Sequence, residues 1–470
     1  MVCNQCGRGF FYGAELNHVS LIDLCTKGYA DIGAGWGVGD AAQGAPVGFT
    51  NRVQLWTSDS EQTSVVQHCS AERQTKCLWE GVSLYAGWQF RGGTAVIYLD
   101  CAATSLQKPR AVSAEMQRAM SSMASPGRGG HRAAMAASDM VYNCRCTAAQ
   151  LFHVPSPEQV LFTFNATHAL NIAINSLVSA GDRVVVSGYE HNSVMRPLRH
   201  IGADVHIVRS PLFDKAAMIE EFSHAIPKAK AVVCTAMSNV FGFITPIDEI
   251  AALCREYEVP LIVDASQLAG NGDINFETLG AAFIAMPGHK GLLGPQGTGL
   301  LLCGQLPKPL LCGGTGSDSK LNQMPTVFPD VGEAGTHNVT GIAGLHAGMR
   351  YVLSRETERI SAHERALLKR FVVKVKEIPD LHVFAAEDTA LQGGVVSVTC
   401  EETDCESLAA MLGDRGIAVR GGIHCAPEAH QTAGTYHCGT VRFSFSPFNT
   451  IGEIDSALNV LKRCVNKQKT

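Results

Sequence analysis

Seven short apolar runs, VLFT, RVVVS, DVHIV, AVVCT, PLIVDA, AAFIAM and TGLLLC, follow one another between residues 160 and 303, most of them separated by segments of helical pattern. Near-continuous apolar runs of this length fit strands that are buried on both faces. Alternation with helices then predicts a mostly parallel sheet covered by helices on both sides. Upstream, VIYLD reads as a strand. PRAVSAEMQRAMSSM reads as a helix, with Val112, Met116, Met120 and Met123 at helical spacing for packing. From about residue 345, GLHAGMRYVLSRETERISAHERALLKRFVVKVKEI reads as one long helical stretch; the strands GGVVSVTC and TVRFSFS then flank the helix-like CESLAAMLGDRG. The predicted organisation is α/β, with a large domain over 96–345, a smaller α+β domain over 346–470, and an irregular extension over 1–95.

Composition narrows the function classes. With 46% hydrophobic and 17% charged residues the 470-residue chain has material for buried cores, which excludes wholesale disorder. Its 38 basic and 43 acidic side chains leave a net charge of −5, so no broad cationic surface for nucleic acid is expected. No run reaches the ~18 to 20 consecutive apolar residues of a membrane span, and no membrane role is expected. The opening MVCNQCGRGF lacks a charged segment followed by an apolar one, so the 17 cysteines are expected reduced, in the cytoplasm. Cys3 and Cys6 have the gap of a zinc knuckle, but Cys25, Cys69 and Cys77 supply no second close pair, and no metal site is expected. The extension over 1–95 is expected to be an added partner-binding segment, or else to precede a true start near Val96.

The segment AMPGHKGLLGPQGTG places His289 and Lys290 in a glycine-rich turn after a predicted strand, where a lysine can be held against a cofactor. In VDASQLAG, Asp264 ends an apolar strand. An unpaired carboxylate there costs several kcal/mol, so it should face a cationic partner or an open crevice. A protonated pyridine nitrogen would satisfy it.

Nine motifs, YLDCAAT, FNATHALN, YEHNSV, SNVFGFITPI, VDASQLAG, GHKGLLGPQGTG, EAGTHN, RGGIHCAP and VRFSFSPFNT, lie in order along about residues 97–463. In this series the chain resembles the class V aminotransferase family of pyridoxal-phosphate enzymes, and most closely its cysteine desulfurase and selenocysteine lyase branch, group II. The resemblance implies the fold type I of pyridoxal-phosphate-dependent transferases and the cofactor pyridoxal 5'-phosphate. It makes Lys290 the Schiff-base lysine and Asp264 the carboxylate that keeps the pyridine nitrogen protonated, so that the ring can act as an electron sink. His191 matches the imidazole stacked on the ring, Gln267 a donor to its phenolic oxygen, and Asn239 a residue facing the same region. For the phosphate it implies the helix start in FNATHALN with Thr167, where backbone N–H groups favour an anion. It adds His289, and Thr336 from the second subunit of a homodimer. Two positions depart from the pattern: Ala166 stands where a threonine is frequent, and Pro287 replaces a phosphate-binding serine.

In RGGIHCAPEAH the resemblance makes Cys425 the nucleophile that receives sulfur, with Cys438 the nearest rival. Arg420, Arg442 or His424 would favour its thiolate. Arg442, assisted by Arg420, would clamp a substrate carboxylate. The implied reaction converts L-cysteine to L-alanine and leaves a persulfide on Cys425 for an acceptor protein. L-selenocysteine cleavage, ordinary transamination and a non-catalytic sulfur-relay scaffold are the alternatives.

Overall fold

The computed structural model describes residues 96–466, apart from 128 and 317–319, together with short paired strands within the first 67 residues. The chain divides into two units, Met1–Val96 and Ile97–Thr470. In the first, Val2–Cys3 pairs with Arg8–Gly9, Glu15–Leu16 with Val19–Ser20, and Asn51–Trp56 with Gln62–Gln67, all antiparallel. The rest of the extension, including Cys6, Cys25, Cys69 and Cys77, lies outside the described residues.

In the second unit each of the seven apolar runs contains a strand, and all seven join one sheet. Its order is Asp204–Val208, Arg183–Ser187, Ala231–Thr235, Leu261–Asp264, Phe283–Pro287, Gly299–Cys303, Val160–Thr163. Every neighbouring pair is parallel except the two made by Gly299–Cys303. The central strands Ala231–Thr235, Leu261–Asp264 and Phe283–Pro287 are buried at every position, which is why they read as continuous rather than alternating apolar runs. Val185, Val232, Val263 and Ile284 pack into one core, and Val184, Val233, Ile262 and Phe283 into another. These sets alternate along the strands, so the cores lie on opposite faces of the sheet.

The helix Arg110–Ser122 forms as expected, but its methionine stripe is incomplete. Val112 is buried, whereas Met120 is 72% exposed. Met116 is positioned by the neighbouring helix Val339–Arg355, where a side chain at Gly344 would meet the Met116 sulfur at 2.9 Å. The long helical stretch is two helices, Val339–Arg355 and Thr357–Val375, broken at Glu356, whose φ of 64° no helix accommodates.

The smaller sheet runs Leu381–Phe384, Val395–Cys400, Thr440–Ser444, Arg420–Gly422, antiparallel throughout. VIYLD, whose Ile97 opens the second unit, packs with this smaller sheet. Ile97–Tyr98 pairs in parallel with Ile417–Ala418, and Leu99 is buried with Val396, Val398 and Phe443. Apolar side chains 320 residues apart in sequence thus close the C-terminal core, a pairing that local pattern does not encode.

Gly242, in the loop after Ala231–Thr235, packs against Val395 of the smaller sheet. It has a φ of +70°, and a Cβ there would lie 2.4 Å from the Val395 carbonyl oxygen. Gly242→Ala is expected to cost about 1–3 kcal/mol, read as a lowered urea midpoint; an unchanged midpoint contradicts that tightness.

Candidate active site

The carboxyl ends of the parallel strands open onto a cavity of about 210 Å³, where open α/β sheets bind ligands. Thr235, Asp264 and Pro287, each the last residue of its strand, line it together with Lys290.

Lys290 follows the strand Phe283–Pro287 across the turn that carries His289. Burial pushes its amine down to about 8, opposed by the nearby charge of Asp264. Asp264 is 3% exposed and accepts the Ser266 N–H at 2.9 Å. Beneath this pair Glu190 is fully buried. It accepts from Ser187 Oγ and, at 2.7 Å, from the Thr235 N–H, and burial pushes its carboxyl up to about 8.

His191 caps the helix Asn192–Ile201, its Nδ1 accepting the Ser193 N–H at 3.0 Å. Burial lowers its pKa to about 4, so the ring is a neutral, flat surface on the cavity wall. Gln267 donates Nε2 to the Ala102 carbonyl at 3.0 Å. Asn239 donates to the His424 carbonyl at 2.8 Å, and its buried Oδ1 has no partner. An orphaned buried acceptor on a cavity wall marks a place for a donor from a ligand.

At the other end Asn165 caps the helix Ala166–Leu177 through the His168 N–H. The first-turn N–H groups of Ala166 and Thr167, which a helix cannot pair internally, belong to residues lining the cavity. Thr167 Oγ1 lies 2.8 Å from Ser193 Oγ, which in turn lies 2.9 Å from His191 Nδ1. Ser193 and Ser266 thus bring polarity to a cavity where Ala166 and Pro287 offer no hydroxyl. His289 points Nδ1 at Thr104 Oγ1, 3.0 Å away, and burial lowers its pKa to about 4.

An amine, a carboxylate, a neutral aromatic face and a helix start with hydroxyls suit a phosphorylated pyridine aldehyde; on these residues pyridoxal 5'-phosphate fits the cavity. Thr336 is exposed and lies outside the cavity-lining residues.

Two hydrogen bonds to its backbone pin the RGGIHCAP loop beside the cavity: the Asn239 side-chain Nδ2 donates to the His424 carbonyl, and the Asn192 N–H to the Cys425 carbonyl, both at 2.8 Å. His424 and Cys425 both adopt left-handed backbone, with φ of 51° and 58°, conformations that cost non-glycine residues energy and cluster at functional sites. Cys425 is exposed. His424 does not supply a cation to it. Its Nε2 faces Thr440, 3.0 Å from the carbonyl oxygen, and burial drives its pKa to about 2. Cys438, also exposed, donates its thiol to the Thr435 carbonyl at 3.6 Å.

Arg442 is 2% exposed, and its two terminal nitrogens reach Asp100 Oδ1 at 2.8 Å and the Asn239 carbonyl at 3.0 Å. Arg420 is its partner in register on the adjacent strand and is exposed.

The structure thus gathers Lys290, Asp264, His191, Gln267, Asn239, His289, Ala166 and Thr167 around one cavity and joins Cys425 and Arg442 to it through Asn239. Ser193, Asn165, Glu190, Thr104 and Asp100 are additions. All five sit inside motifs already singled out, and membership of those motifs was the available signal.

The family model described as Aminotransferase class-V matches residues 97–457. A "Probable cysteine desulfurase" of Methanothermobacter thermautotrophicus is 31% identical over 373 residues, covering 76% of this chain and 92% of that protein. One of Pyrococcus abyssi is 29% identical and covers 80% and 96%. Among solved structures, the apo cysteine desulfurase of Thermococcus onnurineus is 30% identical with a TM-score of 0.73, covering 79% of this chain and 95% of that one. With a family match across residues 97–457, most of its length, the chain belongs to the class V aminotransferases.

Proposed function

We propose that this chain is a pyridoxal-phosphate-dependent cysteine desulfurase, which converts L-cysteine to L-alanine and takes the sulfur onto Cys425. The observation that carries it is the pair of 2.8 Å hydrogen bonds, from the Asn192 N–H and the Asn239 side chain, that hold the Cys425 loop beside the cavity of Lys290. Relatives described as cysteine desulfurases support the reading.

Pyridoxal 5'-phosphate, when bound, supplies an aldehyde for the substrate amine and a ring that withdraws electrons. Lys290 would hold its aldehyde carbon and Asp264 its ring nitrogen. His191 would cover one ring face, with Gln267 and Asn239 at the ring edge. The Ala166 and Thr167 N–H groups, Thr167 Oγ1 and His289 would surround the phosphate. The Lys290 amine takes the substrate's α-proton, and Arg442 with Arg420 orients its carboxylate. The Cys425 thiolate attacks the substrate sulfur. A sulfur–sulfur bond forms, the carbon–sulfur bond breaks, and protonation of the carbon fragment yields alanine.

The exposure of Cys425 leaves the persulfide open to an acceptor thiol or protein. All twelve described cysteines are free, which suits a reducing, cytoplasmic compartment. Thr336 is proposed to meet the phosphate site of a second subunit. The exposed apolar side chains Leu306, Leu310, Leu311, Leu321 and Val327, from the segment just before it, support such a dimer. Among the described residues no helix is long and apolar enough to cross a membrane.

The test is sulfide and alanine release from L-cysteine by wild type, Cys425→Ala and Cys438→Ala. Cys425→Ala is expected to lose about 10²-fold or more in turnover, with Cys438→Ala near wild type. Full turnover by Cys425→Ala overturns the role of Cys425, and amino transfer to a keto acid without sulfide release overturns the desulfurase reading.

A further inference from the structure

The Asp100–Arg442 pair is asymmetric. Arg442 is sealed in, with its side chain 2% exposed, whereas the Asp100 side chain is 20% exposed. The guanidinium has five N–H donors. One terminal nitrogen is on the Asn239 carbonyl, the other on Asp100 Oδ1, and the buried Nε has no partner. A buried guanidinium left without an anion is strongly unfavourable, so a resting site built on it requires a counter-ion.

The backbone of Asp100 is fixed while its side chain has a way out. Its carbonyl accepts from Tyr98 Oη at 3.1 Å, the next residue's N–H bonds the Ser444 carbonyl, and the Ala102 N–H bonds Ser444 Oγ at 2.8 Å. A rotation of the carboxylate toward water therefore leaves the strand in place. The following residues reach the cavity: Ala102 accepts from Gln267, and Thr104 and Ser105 contact His289.

We propose that Asp100 is an exchangeable counter-ion: it neutralises Arg442 in the resting enzyme and yields that guanidinium to the α-carboxylate of the amino-acid substrate. This rests on the reading of Arg442 as the carboxylate-binding residue. It makes Asp100 a positioning residue that sets affinity for carboxylate-bearing ligands, because each must compete with a carboxylate already in the chain. An amino acid gains Arg442 by exchange, while an analogue lacking the negative charge leaves Asp100 where it is.

The test is calorimetric titration of the pyridoxal-phosphate-loaded enzyme with L-alanine and with L-alaninamide, which lacks the carboxylate charge. Asp100→Asn keeps an acceptor for Arg442 and removes the competing charge. It is expected to tighten L-alanine binding about tenfold and to leave L-alaninamide unchanged. Unchanged or weaker L-alanine binding by Asp100→Asn overturns the exchange. Equal tightening of both ligands overturns it too, as a general change in the cavity. Arg442→Lys separates the two levels: if it leaves L-alanine binding unaltered, the assignment of Arg442 itself fails. If Asp100→Asn does not fold, a crystal structure of the wild-type holoenzyme with L-alanine decides. The Asp100–Arg442 contact of 2.8 Å is expected to be replaced by one to the ligand carboxylate, and its persistence overturns the proposal.

Discussion

Lys290→Ala is expected to abolish alanine formation from L-cysteine. Loss of the base alone removes about 10²–10⁴-fold in rate, and the same change removes the amine that would hold the cofactor's aldehyde. The visible absorbance of the covalently held cofactor should vanish from the variant with it. Alanine release at wild-type rate would sink the assignment. The physical cause of reactivity is the amine's setting. Burial lowers its pKa to about 8, while Asp264 limits the fall. A lysine that titrates there is a competent base near neutrality, and the base form dominates above its pKa. With substrate bound the amine is free to act as base, so kcat should rise as the pH passes upward through about 8; a kcat profile flat from about 6.5 to 9 would contradict a lysine base.

Glu333→Ala is expected to cost about 3–5 kcal/mol of stability, read as a fall in urea midpoint. Glu333 and Arg145 have side chains 3% and 5% exposed and are joined by two contacts, at 2.8 and 2.5 Å. The same carboxylate accepts the Phe162 N–H at 2.6 Å and lies 3.3 Å from His337 Nε2. Arg145 also bonds the Val160 carbonyl and lies over the Phe162 ring at 4.6 Å. Removing the carboxylate leaves a buried guanidinium and a buried N–H unpaired, and loosens the EAGTHN loop from the strand leading into FNATHALN. Because the residues act as one network, Glu333→Ala with Arg145→Ala should cost less than the sum of the single changes. Strict additivity would show that the pair is not coupled.

These two sites differ in how far the sequence reveals them. Asp264 is visible because it is a charged residue at the end of an apolar run, where an uncompensated charge needs a chemical reason, and Lys290 because it stands in a glycine-rich turn after such a run. Glu333 stands in the EAGTHN motif, yet its partner Arg145 is 188 residues away within a helix whose local pattern says nothing of ion pairing. His424 teaches the same point in reverse. Proximity in sequence suggested a cation for Cys425, but the chain turns the imidazole inward to Thr440, and burial keeps it neutral.

Taken alone, the sequence settled the strand-and-helix alternation, the mostly parallel sheet and the family, and it singled out the lysine, carboxylate and cysteine proposed to carry the chemistry. Apolar periodicity and short motifs are local, and they need no knowledge of what packs opposite. Tertiary structure decided that Ile97–Leu99 complete the C-terminal core, that Ser193 links Thr167 to His191, and that Asp100 neutralises Arg442. Each depends on which distant groups share a buried space, and there the desolvation of a charge or a lone polar atom selects its partner.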